Sequence, residues 1–462
     1  MNTVLVEQIV EDKKNGISDE IIGKKYGVTF KLIEKAVTQQ LGINISNPLN
    51  GKKKVVFLDP KSFEQETSTV WSFKSRGNWA THNGNYRGNW SPYIPRNVIM
   101  RYSKEGDLVL DYFCGGGTTA VESKLLNRNF IGVDINPSAI ELTKENLNFN
   151  SRTFNSKISL RIGDARKLST IHDNSIDLIC AHPPYADIVN YTHNNPNDLS
   201  SKEVNDFIKE MEKVASESYR VLKPNSYCAI LIGDMRKNKN VIPLGFRTIE
   251  KYLAAGFKIK ELIVKRQHNC KTTGFWYNNS VKYNFLLLAH EYLIVFQKTS
   301  NKAGQINDDM HKAARGFKID KKIYLESTTV WIFNKDEWLG KTISNLFKRY
   351  SAKKPTFFKN GIKDASSDLI INTRTDDIDT CIKYAEKNLK SEGIFAIICE
   401  DQRCKSGLIK SSAMEIEKKL RNNDLLKQKE LIVVSVENGK PENGKDLKIT
   451  HKYVLIYKGV GQ

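Results

Sequence analysis

Residues 107–128 read DLVLDYFCGGGTTAVESKLLNR, and the change of period inside this stretch decides the fold. Leu108, Val109 and Leu110 form the short apolar run of a buried strand, which ends on Asp111. Gly115, Gly116 and Gly117 then make a sharp turn where backbone can come close to a ligand. TTAVESKLLNR continues as a helix. Strand, glycine turn and helix together open a parallel α/β sheet. The turn lacks the closing glycine of a dinucleotide fingerprint, because Thr118, Thr119 and Ala120 follow it, and it lacks the Gly-Lys-Ser/Thr of a P-loop.

Downstream, the rhythm repeats. NFIGVDI (129–135) reads as a strand, and PSAIELTKENLNF (137–149) as a helix with Pro137 at its start. ISLRIGDA (158–165) and IDLICAH (176–182) are two more strands, followed by the helix DFIKEMEKVASESYRVL and the strand SYCAILIGD. A helix over 247–255, the strand FKIKELIVKRQ and the run FLLLAHEYLIVFQK (285–298) complete the series. Such alternation predicts a mainly parallel sheet with helices on both faces. Asp134 and Asp164 end successive strands beside the glycine turn. One is placed for a pair of ribose hydroxyls and the other for an adenine amino group, the plainer alternative being helix or turn caps.

CAHPPYADI (Cys180–Ile188) needs its own account. A central strand cannot continue through Pro183 and Pro184, which supply no backbone N–H. The chain therefore leaves a strand as a stiff loop that presents His182 and Tyr185.

VLDYFCGGGTT, GVDIN, GDA and HPPY, in that order, resemble the S-adenosylmethionine-dependent amino-methyltransferases of DNA, which modify adenine N6 or cytosine N4. Phe113, Gly115 and Gly117 match the family's Phe-x-Gly-x-Gly turn, and His182–Tyr185 its Asp/Asn/Ser-Pro-Pro-Tyr/Phe loop. RGNWSPYIPRNVIMRYS resembles the element that closes over the methionine part of the cofactor. The resemblance covers 69–298 and implies a Rossmann-like class I methyltransferase sheet. It assigns the cofactor to Asp111, Phe113, Cys114, Gly115, Gly117, Thr118, Asp134 and Asp164, and catalysis to His182, Pro183, Pro184 and Tyr185. In that assignment the first loop residue and the Pro183 carbonyl accept the amino hydrogens, localising a poorly nucleophilic lone pair, while Tyr185 stacks on a swung-out base. His182 departs from the family's Asp, Asn or Ser; its single neutral acceptor nitrogen either does the same task or merely packs. Its size, nearer Asp/Asn than Ser, favours adenine N6 over cytosine N4.

The chain has 72 Lys and Arg against 52 Asp and Glu, a formal net charge of +20, which favours a polyanionic partner. Seven cysteines without a CxxC pair argue against a disulfide framework and a zinc site, and no apolar run has membrane length. The expectation is a cytoplasmic protein without metal that acts on double-stranded DNA, with a cognate restriction endonuclease as a further partner. The turn and the HPPY loop lie too close in sequence for a recognition domain between them. Target reading then falls to the N-terminal helices or to two basic, aromatic stretches: 73–90, with Arg76, Trp79 and Arg87, and 265–283, with Lys265, Arg266 and Lys271. Residues 17–40 fit a helix-turn-helix or a docked helical hairpin. Guanine-N2 methyltransferases of tRNA also carry Pro-Pro-Tyr, so an RNA enzyme stands as a rival, as does a DNA-binding protein with a relic fold.

The last third repeats the first part. ESTTVWIF (326–333) echoes ETSTVWSF (66–73), AIICEDQR (396–403) echoes AILIGDMR (229–236), KELIVV (429–434) echoes KELIVK (260–265), and HKYVLIYK (451–458) echoes HEYLIVFQK. Matches in the same order indicate an internal duplication. The second copy lacks the glycine turn and reads DLIINTRTD where the first has DLICAHPPY. The domains expected are 1–45 helical, 46–60 linker, 61–300 catalytic, and 301–462 a degenerate copy that acts as a substitute dimer partner clamping DNA, as a scaffold, or as an independent module.

Overall fold

Two sheets carry the fold, and the second repeats the strand order of the first. The computed structural model describes the chain except residues 1–2, 16, 18, 29–31, 34–35, 37–54, 56, 85, 87, 150–154, 186–194, 269–270, 301–322, 351–355, 359–365, 374–376, 438–445 and 461–462, and the side chains of 13–14, 19–20, 271–276 and 437.

The first sheet contains β1 (Val70–Ser72), β2 (Leu108–Asp111), β3 (Asn129–Asp134), β4 (Ile158–Ile162), β5 (Ile176–Ala181) and β6 (Leu222–Gly233). After the hairpin β7 (Met235–Lys237) and β8 (Asn240–Ile242) come β9 (Lys258–Arg266) and β10 (His290–Gln297). The order is β1-β9-β10-β6-β5-β2-β3-β4, with β10 antiparallel to β6 and β9 and the other pairings parallel. The chain winds outward from β2 through β3 to β4, then returns to β5 on the other side of β2. That reversal opens a crevice at the carboxyl ends of β2 and β5.

Pleating sends alternate residues to opposite faces. Ile179, Ala181, Ile230 and Ile232 pack on one side with Phe207 and Met211 of α6 (Val204–Val221) and Phe246 and Ile249 of α7 (Leu244–Ala254). Leu178, Cys180, Ala229 and Leu231 pack on the other, against Ile94 and Val98 of α3 (Tyr93–Tyr102) and Ala120 of α4 (Thr118–Leu125). Helix α5 (Pro137–Asn146) joins β3 to β4; Asn136 caps it by accepting from the Ser138 N–H at 3.0 Å, and Pro137 opens its first turn.

The second half runs β11 (Val330–Asn334), α9 (Trp338–Arg349), β12 (Thr356–Phe357), β13 (Ser367–Asn372), α10 (Ile378–Asn388) and β14 (Leu389–Cys399). The hairpin β15 (Asp401–Arg403) and β16 (Ile409–Ser411), then α11 (Ser412–Leu420), β17 (Leu426–Glu437) and β18 (His451–Gly459) complete it. Its order, β11-β17-β18-β14-β13-β12, follows β1-β9-β10-β6-β5-β2 strand for strand. Residues 358–366 between β12 and β13 are too few to hold the helices and strands that fill 118–175 in the first half.

The halves meet along a seam whose contacts come in matched pairs. Thr69 Oγ1 lies 2.8 Å from His451 Nδ1, and Thr329 Oγ1 lies 2.9 Å from His290 Nδ1. Arg403 donates to buried Glu261 at 2.6 Å, and Arg236 donates to buried Glu430 at 2.6 Å. The same glutamates accept the N–H groups of Leu447 and Leu286, at 3.2 and 3.1 Å. One apolar cluster crosses the seam, holding Phe246 and Tyr292 together with Tyr453 and Leu455. The second half is thus docked as a pseudo-symmetric partner on the first.

At the N-terminus, α1 (Thr3–Lys14) and α2 (Asp19–Tyr26) pack with helical Ile33 and Ala36 around Val6, Ile9, Val10 and Ile22. Gly27 makes the turn after α2 at φ +63°. Helix α1 lies within the expected helical segment 1–45, ahead of the helix pair read over 17–40. The linker expected to reach residue 60 ends earlier: Val55, Phe57 and Leu58 pack beside Trp79, Val121 and Leu125, and Phe57 accepts the Ala80 N–H at 2.8 Å. Residues 37–54, which hold most of that linker, lie outside the described residues. The basic aromatic stretch after β9 forms α8 (Lys271–Lys282), with Tyr277 and Tyr283 exposed.

Candidate active site

One cavity of about 500 Å³ lies at the carboxyl ends of the central strands and is lined by both sequence motifs, from Asp111 and Gly115 to His182 and Tyr185. Strands β2 and β5 are neighbours, so the glycine turn that leaves one and the HPPY loop that leaves the other share this space.

The turn is built from its own carboxylates. Asp111 accepts the Phe113 N–H at 2.9 Å and the Thr119 hydroxyl at 2.6 Å. Asp134 accepts the N–H of Gly115 at 2.8 Å and of Asn136 at 2.9 Å. Burial pushes these acids up, to about 7 for Asp111 and about 6 for Asp134. Gly115 and Gly117 have φ of +52° and +78°. A Cβ on Gly116 would lie 2.6 Å from the Asn89 side chain, and one on Gly117 would lie 2.7 Å from Thr143. Cys114 is buried, with its Sγ 3.5 Å from Thr143 Oγ1. Thr118 is buried at the start of α4. Asp164 is held by the Arg166 guanidinium fork, at 2.6 Å through Nη2, and so lines the cavity with much of its acceptor capacity taken.

The HPPY loop is tied down by a chain of polar contacts. His182 Nε2 is 2.7 Å from the Tyr185 hydroxyl, which donates to Glu291 Oε1 at 2.8 Å. Lys265 Nζ donates to Glu291 Oε2 at 2.8 Å. Trp90 stacks on the imidazole at 5.5 Å between centroids, with 21° between planes. Burial drives His182 down to about 4, against the pull of Glu291, with Lys265 also lowering it. Burial alone would raise Glu291, but Lys265, His182 and Tyr185 outweigh it and hold the carboxylate at about 2.

Among the nucleic-acid assignments, the structure corrects that of Trp79 and gives Arg76 and Lys265 internal partners. Trp79 is 1 % exposed and donates from its indole to Glu122 at 2.6 Å, so it is a core residue. Arg76 gives its guanidinium to the carbonyls of Asn89 and Trp90, at 2.7 and 2.8 Å, and braces the segment that covers the turn. Lys265 is spent on Glu291 inside the cavity. Arg266 ends β9 half-buried, paired in register with Ser72 and His290. Arg87 and the side chain of Lys271 lie outside the described residues. Tyr185 keeps its hydroxyl inside the network, with its ring close to Gly233, and lines the cavity.

Sequence reasoning missed Glu291, Asn89, Tyr86 and Asp198, all of which line the cavity. A signal for Glu291 lay in the duplication. Where the first copy has Gly233, Lys265 and Glu291, the second has Glu400, Val434 and Lys452 at matching register.

Residues 5–145 match the DNA methylase family N6_N4_Mtase, and residues 103–273 match a methyltransferase domain family. The first half of the chain thus carries a methyltransferase domain, with the DNA methylase match over its N-terminal part. Its relatives include the type II methyltransferase M.BglI of Bacillus subtilis, 33 % identical over 20 % of this chain and 26 % of its own length. M.HpaI of Haemophilus parainfluenzae is 39 % identical over 19 % of this chain and 28 % of its own. A tRNA (guanine(10)-N2)-dimethyltransferase of Methanothermobacter thermautotrophicus is 36 % identical over 22 % and 29 %. The chain thus spans less than a third of the length of each. A solved S-adenosylmethionine-dependent methyltransferase of Methanosarcina mazei is similar over 44 % of this chain and 98 % of its own, at 20 % identity and a TM-score of 0.31.

The methyltransferase domain fits S-adenosylmethionine on its own geometry. Left-handed glycines open the turn to close approach, and the Asp134 carboxylate sits at the cavity wall as an acceptor for hydroxyls. Ile135, Ala165 and Leu199 add apolar surface for a flat ring. Among the described residues no helix is long and apolar enough to cross a membrane.

Proposed function

We propose that the protein methylates an exocyclic amino group of DNA, with adenine N6 favoured over cytosine N4, and that a cognate restriction endonuclease shares its target. The observation that carries this reading is the joining of the glycine turn and the HPPY loop in one cavity. When bound, the cofactor supplies an electrophilic methyl group. The residues of the chain do the rest. The glycine turn and Asp134 hold the nucleoside part, and Tyr86, Asn89 and Trp90 shut water out from above. The Pro183 carbonyl and His182 accept the amino hydrogens, so that the nitrogen lone pair turns toward the methyl group. The +20 charge draws the polyanion in.

The similarity to a tRNA guanine-N2 dimethyltransferase favours a second reading, an RNA substrate. Incubation with methyl-labelled cofactor and either genomic DNA or tRNA separates the two. Label in DNA is expected, and label in tRNA alone would overturn the DNA reading. His182→Ala with Tyr185→Ala should abolish transfer and leave cofactor affinity nearly intact.

A further inference from the structure

Two elements leave the sheet at its carboxyl edge, beside the HPPY loop, and meet again on the surface. The hairpin β7–β8 follows Gly233, which lies against the Tyr185 ring, and α8 begins three residues after His268, which lines the cavity. They meet at Tyr283. Its ring is exposed, with Lys239 Nζ 4.0 Å and Lys282 Nζ 5.2 Å from its centroid, and both lysines are exposed too. Tyr277 and Val281, one helical turn apart on α8, are also exposed. Lys237 of the same hairpin is instead neutralised by Glu203 at 3.0 Å.

A scattered exposed aromatic needs no explanation, but this group is firmly mounted. Asn284, at φ +48°, ends the helix. The Phe285 N–H returns to the Ser280 carbonyl at 3.1 Å and the Asn284 N–H to that of Val281 at 3.4 Å. Phe285 is buried, with the Arg236 guanidinium 5.0 Å from its ring centroid. Arg236 is held by Glu430, and Arg349 donates to the Asn284 side chain at 3.1 Å, so both halves of the chain fasten the end of α8. On the hairpin, Asn238 and Lys239 make a two-residue turn at φ +51° and +66°. Such turns favour glycine at the second position. A lysine there strains the backbone, and what it gains is an ammonium over Tyr283.

We infer that the end of α8 and the β7–β8 turn form a docking surface for the sugar-phosphate backbone of duplex DNA, flanking the cavity. Lys239 and Lys282 bring charge to phosphate oxygens, and Tyr283 packs on a sugar and donates its hydroxyl. The choice of DNA as partner rests on the amino-methyltransferase reading. The surface itself rests on the second copy as well. There the strands that match β9 and β10 are joined by residues 438–450, of which Leu447 and Lys448 are bonded across the seam, against 267–289 in the first. That leaves no room for a helix of 12 residues like α8. The half without the HPPY loop thus lacks this helix too. Over its length α8 rises about 18 Å, the length of about five base pairs, so the contact falls beside the target nucleotide and not on it.

The test measures binding of the full-length protein to a labelled duplex of mixed sequence over a series of salt concentrations, which needs no turnover. Lys239→Gly relieves the left-handed backbone, so it should melt no lower than wild type and yet bind the duplex less tightly. With Lys282→Ala added, the slope of log affinity against log salt should shrink by about 0.9 for each lysine. That corresponds to a loss of roughly 5-fold per lysine at physiological salt. Tyr283→Ala should weaken binding and leave the slope unchanged. In methyl-transfer assays these variants should raise KM for DNA and keep kcat. A folded double variant with wild-type affinity and slope would overturn the inference, as would a loss confined to labelled tRNA. The surface and the amino-methyltransferase reading fail separately. Weakened DNA binding by the variants of a protein that methylates no DNA upholds the surface and sinks that reading. Methylation of DNA with an affinity indifferent to the variants does the reverse.

Discussion

Gly117 sits at φ +78° as the residue before α4, with Thr143 pressed against the place where a Cβ would stand. Gly117→Ala meets both a left-handed backbone, which costs about 1–2 kcal/mol, and a contact of 2.7 Å. Lower thermal stability and weaker cofactor binding are expected, read by melting with and without S-adenosylmethionine; a variant that melts and binds as wild type would contradict the turn's role. Asp111, at the other end of the turn, makes stability depend on pH. Burial holds it at about 7 in the fold, whereas the unfolded chain ionises it near its ordinary value, about 4. Its contribution is therefore fullest below about 4 and is lost as pH rises through about 7. Asp134, raised to about 6, acts in the same direction. The stability of Asp111→Asn relative to wild type should improve steadily between pH 4 and 8; a constant difference in melting temperature would refute this. At this scale the motif residues were legible, because glycines and prolines restrict backbone in ways sequence shows directly. Glu291 was not. Its meaning depends on Tyr185, more than a hundred residues earlier, and on the strand pairing that brings them together.

The segment before α3 drew two readings from the sequence, a nucleic-acid surface and a cover for the cofactor. Its arginine, tryptophans and asparagines suggested a surface for nucleic acid, yet composition cannot say which face of an irregular segment is covered. In the fold it is a strap over the glycine turn, fastened by a buried knot. Glu122 of α4 accepts from Trp79 at 2.6 Å, His82 at 2.7 Å and Arg96 at 3.0 Å, and Arg96 reaches on to Asp59 at 3.2 Å. Glu122→Ala strands a buried guanidinium along with two ring donors. A loss of about 3–5 kcal/mol in chemical denaturation is expected. A loss below about 1 kcal/mol would show that the strap is held by its apolar contacts alone. The strands and helices of the sheet, by contrast, were legible from period, since β5 and β6 are buried on both faces and read as continuous apolar runs.

The duplication was visible in sequence, but the docking of the two copies was not, because it depends on pairs such as Thr69 and His451 that lie far apart in the chain. The shared core predicts a scaffold role for the second half. Residues 1–300 alone would expose Phe246 and Tyr292 and leave Glu261 and Arg236 without their partners across the seam. Each broken buried pair costs about 3–5 kcal/mol. The truncated chain should aggregate on expression; a soluble, monodisperse product with full activity would refute the scaffold role. The seam has another consequence. A true dimer of such domains has a two-fold axis through its interface and can meet a palindrome with one working centre on each strand. Here, on the proposed function, the pseudo-symmetry relates a half with the HPPY loop to a half without it, so one encounter would present one strand for chemistry. The target is expected to be an asymmetric sequence marked on a single strand, and strand-resolved sequencing of modified bases reads this directly. Equal marking of both strands of a palindrome in one binding event would contradict it. If the protein marks DNA as proposed, every replication would leave one daughter duplex wholly unmarked at the site, and only a fresh visit by it could restore the mark.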